Sequence, residues 1–339
     1  MTTAMRRRAL ILGASGQDGF YLTRSLQADG WEVIAVVRGN DAVQMLPELD
    51  GVTYLSCDLT QPAALMRIID SVAFDHAYNL AGLSSVKACW SDPRTCHEVN
   101  AAVAIQIMSL IHSKILRTGS DIRLFQASSA EMFGCTHTPH SEATPMKPIN
   151  PYGVAKLAAH REVIHFREEF GHHFVAGIMN CHESPLRPAR FVSRRISQGV
   201  AAIACGRASE LSLGNVAAVR DWGHALDYVL AMRLMLDADT PADYVVSTGV
   251  GRSIMDLVDA FAASAGLGND RAWLAYDHSA ARPADIPTLV GDSSRIHLDL
   301  EWQPRITFEQ LVDEMLNHDL ARLRGQPRGT QEFHMFGSL

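Results

Sequence analysis

The sequence predicts an α/β protein in which helices cover both faces of a parallel sheet. Short apolar runs typical of buried strands alternate with segments of helical apolar spacing through the first half of the chain. A glycine-rich turn joins the first apolar run to the first helix, and a smaller, loop-rich part begins after about residue 180. Strands that alternate with helices require right-handed crossovers, which produce a doubly wound parallel sheet.

Each predicted element has its own sequence signal. Strands are expected where apolar residues run without helical spacing, and Gly30 marks the end of the first helix. The predicted strands are 9–12, 32–38, 52–60, 76–82 and 122–129. The predicted helices are 20–30, 61–72, 102–116 and 150–166. The sequence contains no internal repeat and no low-complexity segment.

Composition and charge exclude several classes of protein. The 339 residues are 47% apolar and carry a net charge of −7 without a basic block. We therefore expect no nucleic-acid partner and no membrane-surface partner. No run suggests the ~20 apolar residues of a membrane span. The six cysteines show no paired spacing, which predicts no metal site and reduced, mostly buried thiols in a cytoplasmic protein.

Gly13, Gly16 and Gly19 give a G-x-x-G-x-x-G spacing between the first strand and the first helix. Glycine lets a backbone approach a pyrophosphate closely, and a helix N-terminus supplies N–H donors and a favourable dipole. The alternative is a tight turn without a ligand. The strand before the motif and the helix after it are the context that a dinucleotide-binding turn requires, so we predict a Rossmann-type cofactor site.

The end of the second strand distinguishes NAD from NADP. An NAD site places an acidic residue there to bind the ribose 2′-hydroxyl. This chain has Arg38, nineteen residues after Gly19, and no acidic residue before Asp41. Because a guanidinium suits a 2′-phosphate in charge and shape, we predict NADP. The alternative is that Arg38 is an ordinary surface arginine.

Tyr152 and Lys156 are expected on one face of the helix at 150–166, because they are four residues apart. An ammonium beside a phenol favours the phenolate and lowers the tyrosine pKa. Such a tyrosine can accept a proton from a sugar or alcohol hydroxyl during hydride transfer. The alternative is an ordinary tyrosine and lysine on an amphipathic helix. Ser129, at the end of the preceding strand, favours the catalytic interpretation.

We expect two interleaved parts. Residues 1–180 form the NADP-binding part, and residues 181–339 form a smaller, mainly substrate-binding α/β part. The division is placed where alternating elements give way to loops rich in arginine. Two later segments, 211–222 and 243–251, could return strands to the N-terminal sheet.

Several sequence blocks resemble one known family. The glycine motif, Ser129, Tyr152 and Lys156 are similar to the extended short-chain dehydrogenase/reductase superfamily. The blocks "GQDG", "HESP" and "RDWG", together with "QASSAEMFG", "NPYGVAKL" and "LEWQPRITFEQLVDEML", resemble GDP-mannose 4,6-dehydratases. These blocks extend from about residue 8 to residue 320, so the resemblance covers nearly the whole chain.

The resemblance implies a lyase that converts GDP-mannose, or a close GDP-sugar, into a 4-keto-6-deoxy sugar through NADP. It implies that Tyr152, assisted by Lys156, takes the proton of the C4 hydroxyl. Ser129 stands where the family usually has threonine and is expected to hydrogen-bond the C4 oxygen. Glu131 is expected to remove the C5 proton and to protonate the departing C6 hydroxyl. Its alternative is a solvated loop carboxylate.

The resemblance also implies two sets of binding residues. Those for NADP are Gly13, Ala14, Ser15, Gly16, Gln17, Asp18, Gly19, Arg38, Asp58, Leu59, Leu80, Ala81, Gly82, Leu83, Ser84, Tyr152, Lys156, His182 and Arg187. Those for the nucleotide sugar are Ser84, Ser129, Glu131, Asn180, Cys181, Arg195, Arg220, Arg282 and Asp285. The arginines are expected to bind the diphosphate and the base, since a guanidinium binds phosphate in a bidentate fashion.

The chain departs from the family pattern mainly around the substrate. Cys181 stands where the family has a substrate-contacting asparagine, Leu83 replaces a glutamine and Val219 replaces a lysine. These differences leave open which sugar and which base the site accepts.

Two other functions and the oligomeric state also stay open. The first is a related 4-keto reductase or epimerase, and Glu131 is the discriminating residue because a simple reductase needs no C5 base. A non-catalytic NADP-binding regulator would not need Ser129, Tyr152 and Lys156, all of which are present. By analogy with the family, a homodimer or homotetramer is expected, formed through a helix pair that includes the helix of Tyr152.

Overall fold

The structure is a computed structural model that describes residues 6–39, 48–268, 270–277 and 284–325. Its main element is a seven-stranded sheet in the order β10-β6-β5-β4-β1-β2-β3, with every neighbouring pair parallel. The strands are β1 (Arg8–Leu12), β2 (Glu32–Val37), β3 (Val52–Ser56), β4 (His76–Asn79), β5 (Arg123–Ser129), β6 (Phe174–Met179) and β10 (Tyr244–Val246). This is a doubly wound Rossmann-type sheet, so the predicted fold class is confirmed.

Helices cover both faces of this sheet. Those in the first half are α1 (Gln17–Ala28), α2 (Pro62–Ser71), α3 (Val86–Ser91), α4 (Pro93–His97), α5 (Val103–Thr118) and α6 (Pro151–Phe170). A π-helical turn (Glu98–Ala102) joins α4 to α5, and a single 3-10 turn (Ala130–Met132) follows β5. The later helices are α7 (Val192–Ala204), α8 (Ala225–Asp237), α9 (Ile254–Ser264), α10 (Ser294–Leu300) and α11 (Phe308–Leu323).

The central strand β1 shows why an apolar run without alternation forms this sheet. The pleat sends successive side chains to opposite faces. Leu10 and Leu12 pack toward α2, α5 and α6, while Ala9 and Ile11 pack toward α1 and α8. All four side chains are fully buried. Both faces therefore need apolar residues, as in other parallel sheets with helices on each side.

Residues after β6 build a second, smaller core with short strands of its own. These strands are β7 (Cys181–Glu183), β8 (Leu211–Leu213), β9 (Val219–His224), β11 (Gly251–Ser253), β12 (Leu274–Tyr276) and β13 (Thr288–Leu289). Strand β9 pairs with β7, β11 and β13, and β8 pairs with β12. Helices α7, α9 and α11 pack around Trp222. A buried ion pair between Arg194 and Asp319 joins α7 to α11, and Ser197 Oγ donates to the same carboxylate at 2.6 Å.

The two segments expected to return to the large sheet behave differently. Within 243–251, β10 pairs in parallel with β6, with Tyr244 opposite Gly177. The prediction for 211–222 is wrong, because these residues form β8 and the start of β9 in the smaller sheets. With β10 at one edge of the large sheet and β3 at the other, β9 pairs instead with the short strands that follow β6.

The prediction that all cysteines are reduced is wrong in this structure. Cys89 and Cys96 form a disulfide, with their Cα atoms 5.0 Å apart. Helices α3 and α4 are short and meet at Asp92, which caps α4 by accepting a hydrogen bond from Thr95 N at 3.0 Å. This bend brings together two residues seven positions apart, a spacing that has no recognised sequence signature.

The helical run Pro93–Thr118 is long and apolar enough to cross a membrane by length and composition, contrary to expectation. Over an 18-residue stretch of this run the mean hydropathy is 1.4, and 44% of that stretch is buried inside the protein. Ile107, Met108 and Ile111 pack into the core under the sheet. Asn100 and other polar residues interrupt the run, so it contains no unbroken apolar stretch of ~20 residues.

Candidate active site

The glycine loop after β1 has a backbone that only glycine can supply. Gly13 has a φ of +92°, and a Cβ on it would lie 2.8 Å from the backbone nitrogen of Ala81. A Cβ on Gly19 would lie 2.5 Å from the carbonyl oxygen of Gly13. Gly16 is the N-cap of α1, and no side chain caps that helix. The loop therefore fits a pyrophosphate, because the backbone can approach it and the first helical N–H groups face it.

Residues just after the glycine loop tie it to the segment that follows β6. Gln17 Nε2 donates to the carbonyl oxygen of His182 at 3.0 Å, and Ser184 Oγ donates to Gln17 Oε1 at 2.8 Å. Asp18 and His182 form an ion pair at 3.0 Å. Burial opposes both charges, but their mutual attraction outweighs it. The pKa of Asp18 is consequently lowered and the pKa of His182 is raised.

The predicted adenosine contacts lie at the ends of β2 and β3. Arg38 follows β2 and is exposed. Hydrogen bonds from the hydroxyl and backbone N–H of Thr60 lower the pKa of Asp58, and the charge of Arg38 acts in the same direction. An exposed guanidinium beside this loop fits a 2′-phosphate, which would bring two or more acceptor oxygens to it.

Asn100, which the sequence analysis missed, holds the predicted cofactor segment after β4. Its side chain accepts a hydrogen bond from Leu83 N at 3.0 Å and donates to Leu83 O at 3.2 Å. A Cβ on Gly82 would lie 2.8 Å from Asn100 Oδ1. Asn100 lies in the π-helical turn and is 1% exposed. A fully buried asparagine inside an apolar helix was the signal that could have identified it.

The four predicted catalytic residues come together where β5 ends. Ser129 is the last residue of β5, Glu131 lies in the 3-10 turn that follows, and Tyr152 and Lys156 lie on successive turns of α6. Interaction with the Ser129 hydroxyl acts to lower the pKa of Tyr152. Lys156 Nζ donates to Ala127 O at 2.9 Å and lies 5.8 Å from the centroid of the Tyr152 ring.

Burial is the largest influence on the pKa values of Tyr152 and Lys156. It raises the pKa of Tyr152 to about 12, against the lowering effect of the Ser129 hydrogen bond, and the charge of Glu131 raises it further. Burial also lowers the pKa of Lys156 to about 8. The expectation that Lys156 lowers the tyrosine pKa is therefore wrong for this arrangement. The ammonium points to Ala127 O, and the phenol is 92% withdrawn from solvent.

Glu131 is held against the first turn of α6. Asn150 Nδ2 donates to Glu131 Oε2 at 2.7 Å, and Asn150 Oδ1 accepts from Gly153 N at 2.8 Å. A Cβ on Gly153 would lie 2.5 Å from the carbonyl oxygen of Glu131, so only glycine permits this approach. Glu131 is half-buried, which leaves the carboxylate partly open to the cleft. The sequence analysis did not identify Asn150 as a partner of Glu131.

Cys181, a predicted substrate residue, is the first residue of β7 and packs against the smaller core. Burial raises the pKa of its thiol to about 12. The charges of Arg220 and Arg187 oppose that shift, and those of Glu183 and Glu131 add to it. The thiol is therefore near enough to both Glu131 and the two arginines to respond to their charges.

Two of these arginines are held by acidic partners. Arg187 Nε pairs with Glu183 Oε2 at 3.0 Å, and its guanidinium stacks over Phe191 at 3.7 Å. Arg220 is 6% exposed and pairs with Asp285 at 3.2 Å. Their positions are thus set within the fold before any substrate binds, which reduces the entropy lost on binding.

The remaining predicted substrate residues are placed less directly. Arg195 is exposed, and its Nη2 donates to Ser212 O at 2.8 Å. Asn180 is 4% exposed, and neither amide atom has a hydrogen-bond partner among the described residues. A Cβ on Gly291 would lie 2.5 Å from Asn180 Nδ2, so the amide packs against that glycine. Arg282 lies outside the described residues.

A cavity of about 440 Å³ lies apart from this group, on the side of α6 that faces β10. Two of its charged lining residues are already paired: Arg167 and Asp243 form a bidentate pair at 2.8 and 2.7 Å, and Asp243 also accepts from Ala176 N at 2.7 Å. The catalytic residues do not line it.

A Rossmann-type sheet with a glycine loop and a serine, tyrosine and lysine at one strand end defines the extended short-chain dehydrogenase/reductase class. Solved structures of similar fold include RMD from Pseudomonas aeruginosa complexed with NADPH, at a TM-score of 0.77 and 22% identity over 93% of this chain and 99% of that one. DesIV, a dTDP-glucose 4,6-dehydratase from Streptomyces venezuelae, has a TM-score of 0.80 and 17% identity over 97% and 99%.

The family model for GDP-mannose 4,6 dehydratase matches residues 10–315. GDP-mannose 4,6 dehydratase 2 of Arabidopsis thaliana is 38% identical over 93% of this chain and 87% of its own length. GDP-mannose 4,6-dehydratase of Vibrio cholerae is 34% identical over 93% and 94%, and the human enzyme is 34% identical over 95% and 94%. The chain belongs to the GDP-mannose 4,6-dehydratase family. It is a nucleotide-sugar 4,6-dehydratase and thus a hydro-lyase.

Proposed function

We propose that this protein removes water from GDP-mannose, or from a close GDP-sugar, to give the GDP-4-keto-6-deoxy sugar, with NADP retained as an internal hydride carrier. The observation that carries the proposal is the joint placement of Ser129, Glu131, Tyr152 and Lys156 at the end of β5. Glu131 favours a dehydratase over a reductase on the same fold, because elimination needs a base at C5 and simple reduction of a 4-ketone does not.

NADP fits the residues present. The glycine loop would hold the pyrophosphate, Arg38 the 2′-phosphate, and the segment from Leu80 to Ser84 the nicotinamide half. The chemistry that NADP supplies when bound is the acceptance of hydride from C4 and its return to C6. We assign the remaining NADP contacts to Asp58, Leu59, His182 and Arg187, which border the same cleft.

Tyr152 and Ser129 act at C4. Tyr152 Oη accepts the proton of the C4 hydroxyl, and Ser129 Oγ hydrogen-bonds the C4 oxygen as it becomes a ketone. Burial disfavours the phenolate, and the interaction with Ser129 opposes that shift. We assign to Lys156, whose Nζ lies 5.8 Å from the centroid of the Tyr152 ring, the further positive charge that the phenolate needs. A positioned acid or base of this kind contributes a factor of ~10²–10⁴ to the rate.

Glu131 acts at C5 and C6. The C4 ketone acidifies the C5 proton, and a Glu131 carboxylate oxygen removes it. The same proton passes to the C6 hydroxyl, which leaves as water with the electron pair of the C6–O bond. C5 regains one proton when hydride reaches C6, and this balances the proton that Tyr152 took from C4. The net change is the loss of one water.

The arginines near β7 and β9 suit the diphosphate. Arg220 would present a fixed guanidinium group to it, with Arg195 toward the outer end. Cys181 would lie against the sugar, where a thiol offers a weaker hydrogen bond than an amide. Cys181 and Leu83 thus give this chain a less polar sugar site, which is where its sugar preference would be decided.

We further propose a homodimer or homotetramer in the cytoplasm, built through α5 and α6. Leu116 on α5 is 70% exposed, and Val154 and Phe170 on α6 are 51% and 48% exposed. Exposed apolar side chains on adjacent helices are typical of a protein interface. A cytoplasmic location would favour the dithiol form of Cys89 and Cys96. The division at residue 180 into an NADP-binding and a substrate-binding part is consistent with the two cores.

Glu131→Gln tests the function. The variant should retain NADP binding and lose dehydration, because an amide cannot take the C5 proton. Purified wild-type protein is incubated with a panel of GDP-, UDP- and dTDP-sugars, and mass spectrometry detects the loss of one water without net NADPH release. Glu168→Gln, on the exposed part of α6, is the matched control and should be fully active. Full activity of Glu131→Gln would remove it from the mechanism, and turnover of UDP- or dTDP-sugars alone would overturn the base assignment.

A further inference from the structure

Asn150 joins the general base to the helix that carries the catalytic tyrosine. We propose that Asn150 is a positioning residue: its side-chain amide fixes the orientation of the Glu131 carboxylate for removal of the C5 proton. The inference rests on the proposed function, because it assumes that Glu131 is the base. The juxtaposition that carries it is one buried amide hydrogen-bonded at once to the carboxylate and to the first turn of α6.

The two hydrogen bonds leave the amide no freedom to turn. Asn150 Oδ1 caps α6 by accepting from Gly153 N at 2.8 Å, so the oxygen has to face the helix. The assignment of oxygen and nitrogen in an amide follows from such partners. The –NH₂ group is then directed at Glu131 Oε2, to which it donates at 2.7 Å. Asn150 is 3% exposed, so water does not compete for either bond.

Glu131 is fixed from its backbone as well. Ser129 Oγ accepts from Glu131 N at 3.3 Å. The close approach of Gly153 to the carbonyl oxygen of Glu131 sets the distance between the 3-10 turn and α6. With Oε2 bonded to Asn150, the other carboxylate oxygen is the one available to the sugar. A base held in one orientation retains the alignment on which proton transfer depends.

A helix cap without any catalytic effect is the competing explanation, and two substitutions separate the two roles. Serine is as good an N-cap as asparagine, but its side chain lacks the –NH₂ group that reaches Glu131. Asn150→Ser therefore preserves the cap and removes only the bond to the base. Asn150→Asp also preserves the cap but places a second carboxylate against Glu131, which disfavours two adjacent negative charges.

The experiment measures kcat, KM and unfolding midpoint for wild type, Asn150→Ser and Asn150→Asp with GDP-mannose. Positioning predicts that kcat of Asn150→Ser falls about tenfold or more, with KM within about twofold and an unchanged unfolding midpoint. The kinetic isotope effect from C5-deuterated substrate should rise, and the effect from C4-deuterated substrate should not. In Asn150→Asp, the acidic limb of the pH–rate profile should move to higher pH.

Wild-type kcat and unchanged C5 isotope effects in Asn150→Ser would overturn the positioning role and leave Asn150 as a cap. If Asn150→Ser loses stability, its C5 isotope effect decides, since loss of a cap alone leaves that effect unchanged. Wild type that fails to dehydrate any GDP-sugar would instead refute the proposed function, so the two failures are distinguishable.

Discussion

The buried charge of Lys156 destabilises the fold, so Lys156→Met should make the protein more stable. Burial lowers its pKa from 10.5 to about 8, and the residue is 5% exposed. A shift of this size corresponds to about 3 kcal/mol at 1.36 kcal/mol per unit. Lys156→Met removes that cost and loses one hydrogen bond, worth about 1 kcal/mol. Ala127 O keeps its other donor, Gln126 Nε2, at 3.0 Å. The variant should gain about 2 kcal/mol at pH 7 and lose activity.

The stability gained in Lys156→Met should decrease as pH rises above about 8. Below pH 8 the folded and unfolded chains both carry the proton on Lys156, so wild type bears the full cost. Between pH 8 and 10.5 the unfolded chain binds more protons, and wild-type stability rises with pH by up to about 1.4 kcal/mol per unit. The advantage of Lys156→Met should therefore approach zero by about pH 9.5.

Urea unfolding of cofactor-free wild type and Lys156→Met at pH 7 and pH 9.5 measures this difference, and other titrating groups cancel between the two proteins. Lys87→Met, at an exposed position of α3, is the control and should show neither gain nor pH dependence. A variant less stable than wild type at pH 7, or a difference that does not change with pH, would refute the reasoning.

Two further predictions concern the glycine loop and its attachment. Gly13→Ala should lower the free energy of unfolding by about 1–3 kcal/mol and abolish NADP binding, because φ is +92° and the new Cβ would meet Ala81. Gly30→Ala is the control in calorimetry: its φ of +78° is also positive but its surroundings are open, so it should retain NADP binding. The raised pKa of His182 means that its ion pair with Asp18 stabilises the fold below about pH 6.5 and is lost as pH rises through that raised value. The stability difference between wild type and His182→Gln should therefore be larger at pH 6 than at pH 8.5, and an equal difference would contradict the pairing.

The sequence predicted those parts of the site that depend on local geometry. The spacing of Gly13, Gly16 and Gly19 is a property of one turn, and the strand and helix around it confirm the predicted fold. Tyr152 and Lys156 share a helical face because of the period of the helix. Such features need no knowledge of which distant segments come together.

Features that depend on tertiary contacts escaped prediction. The direction of the Tyr152 pKa shift is set by burial, which residue spacing does not reveal. Asn150 was visible as a residue before a helix, but its bond to Glu131 depends on how the 3-10 turn packs against α6. The Cys89–Cys96 bond depends on the angle between two short helices. The burial of Asn180 depends on Gly291, more than a hundred residues later.

The place of β10 at the edge of the large sheet has a consequence for synthesis on the ribosome. Strand β6 ends at Met179, and its neighbour begins at Tyr244, so about 65 further residues must be translated before β6 is covered, a delay of several seconds at 5–20 residues per second. During that interval the apolar strand FVAGIM has an unpaired edge that other chains could join. A nascent chain arrested between these strands should therefore be the stage most dependent on chaperones.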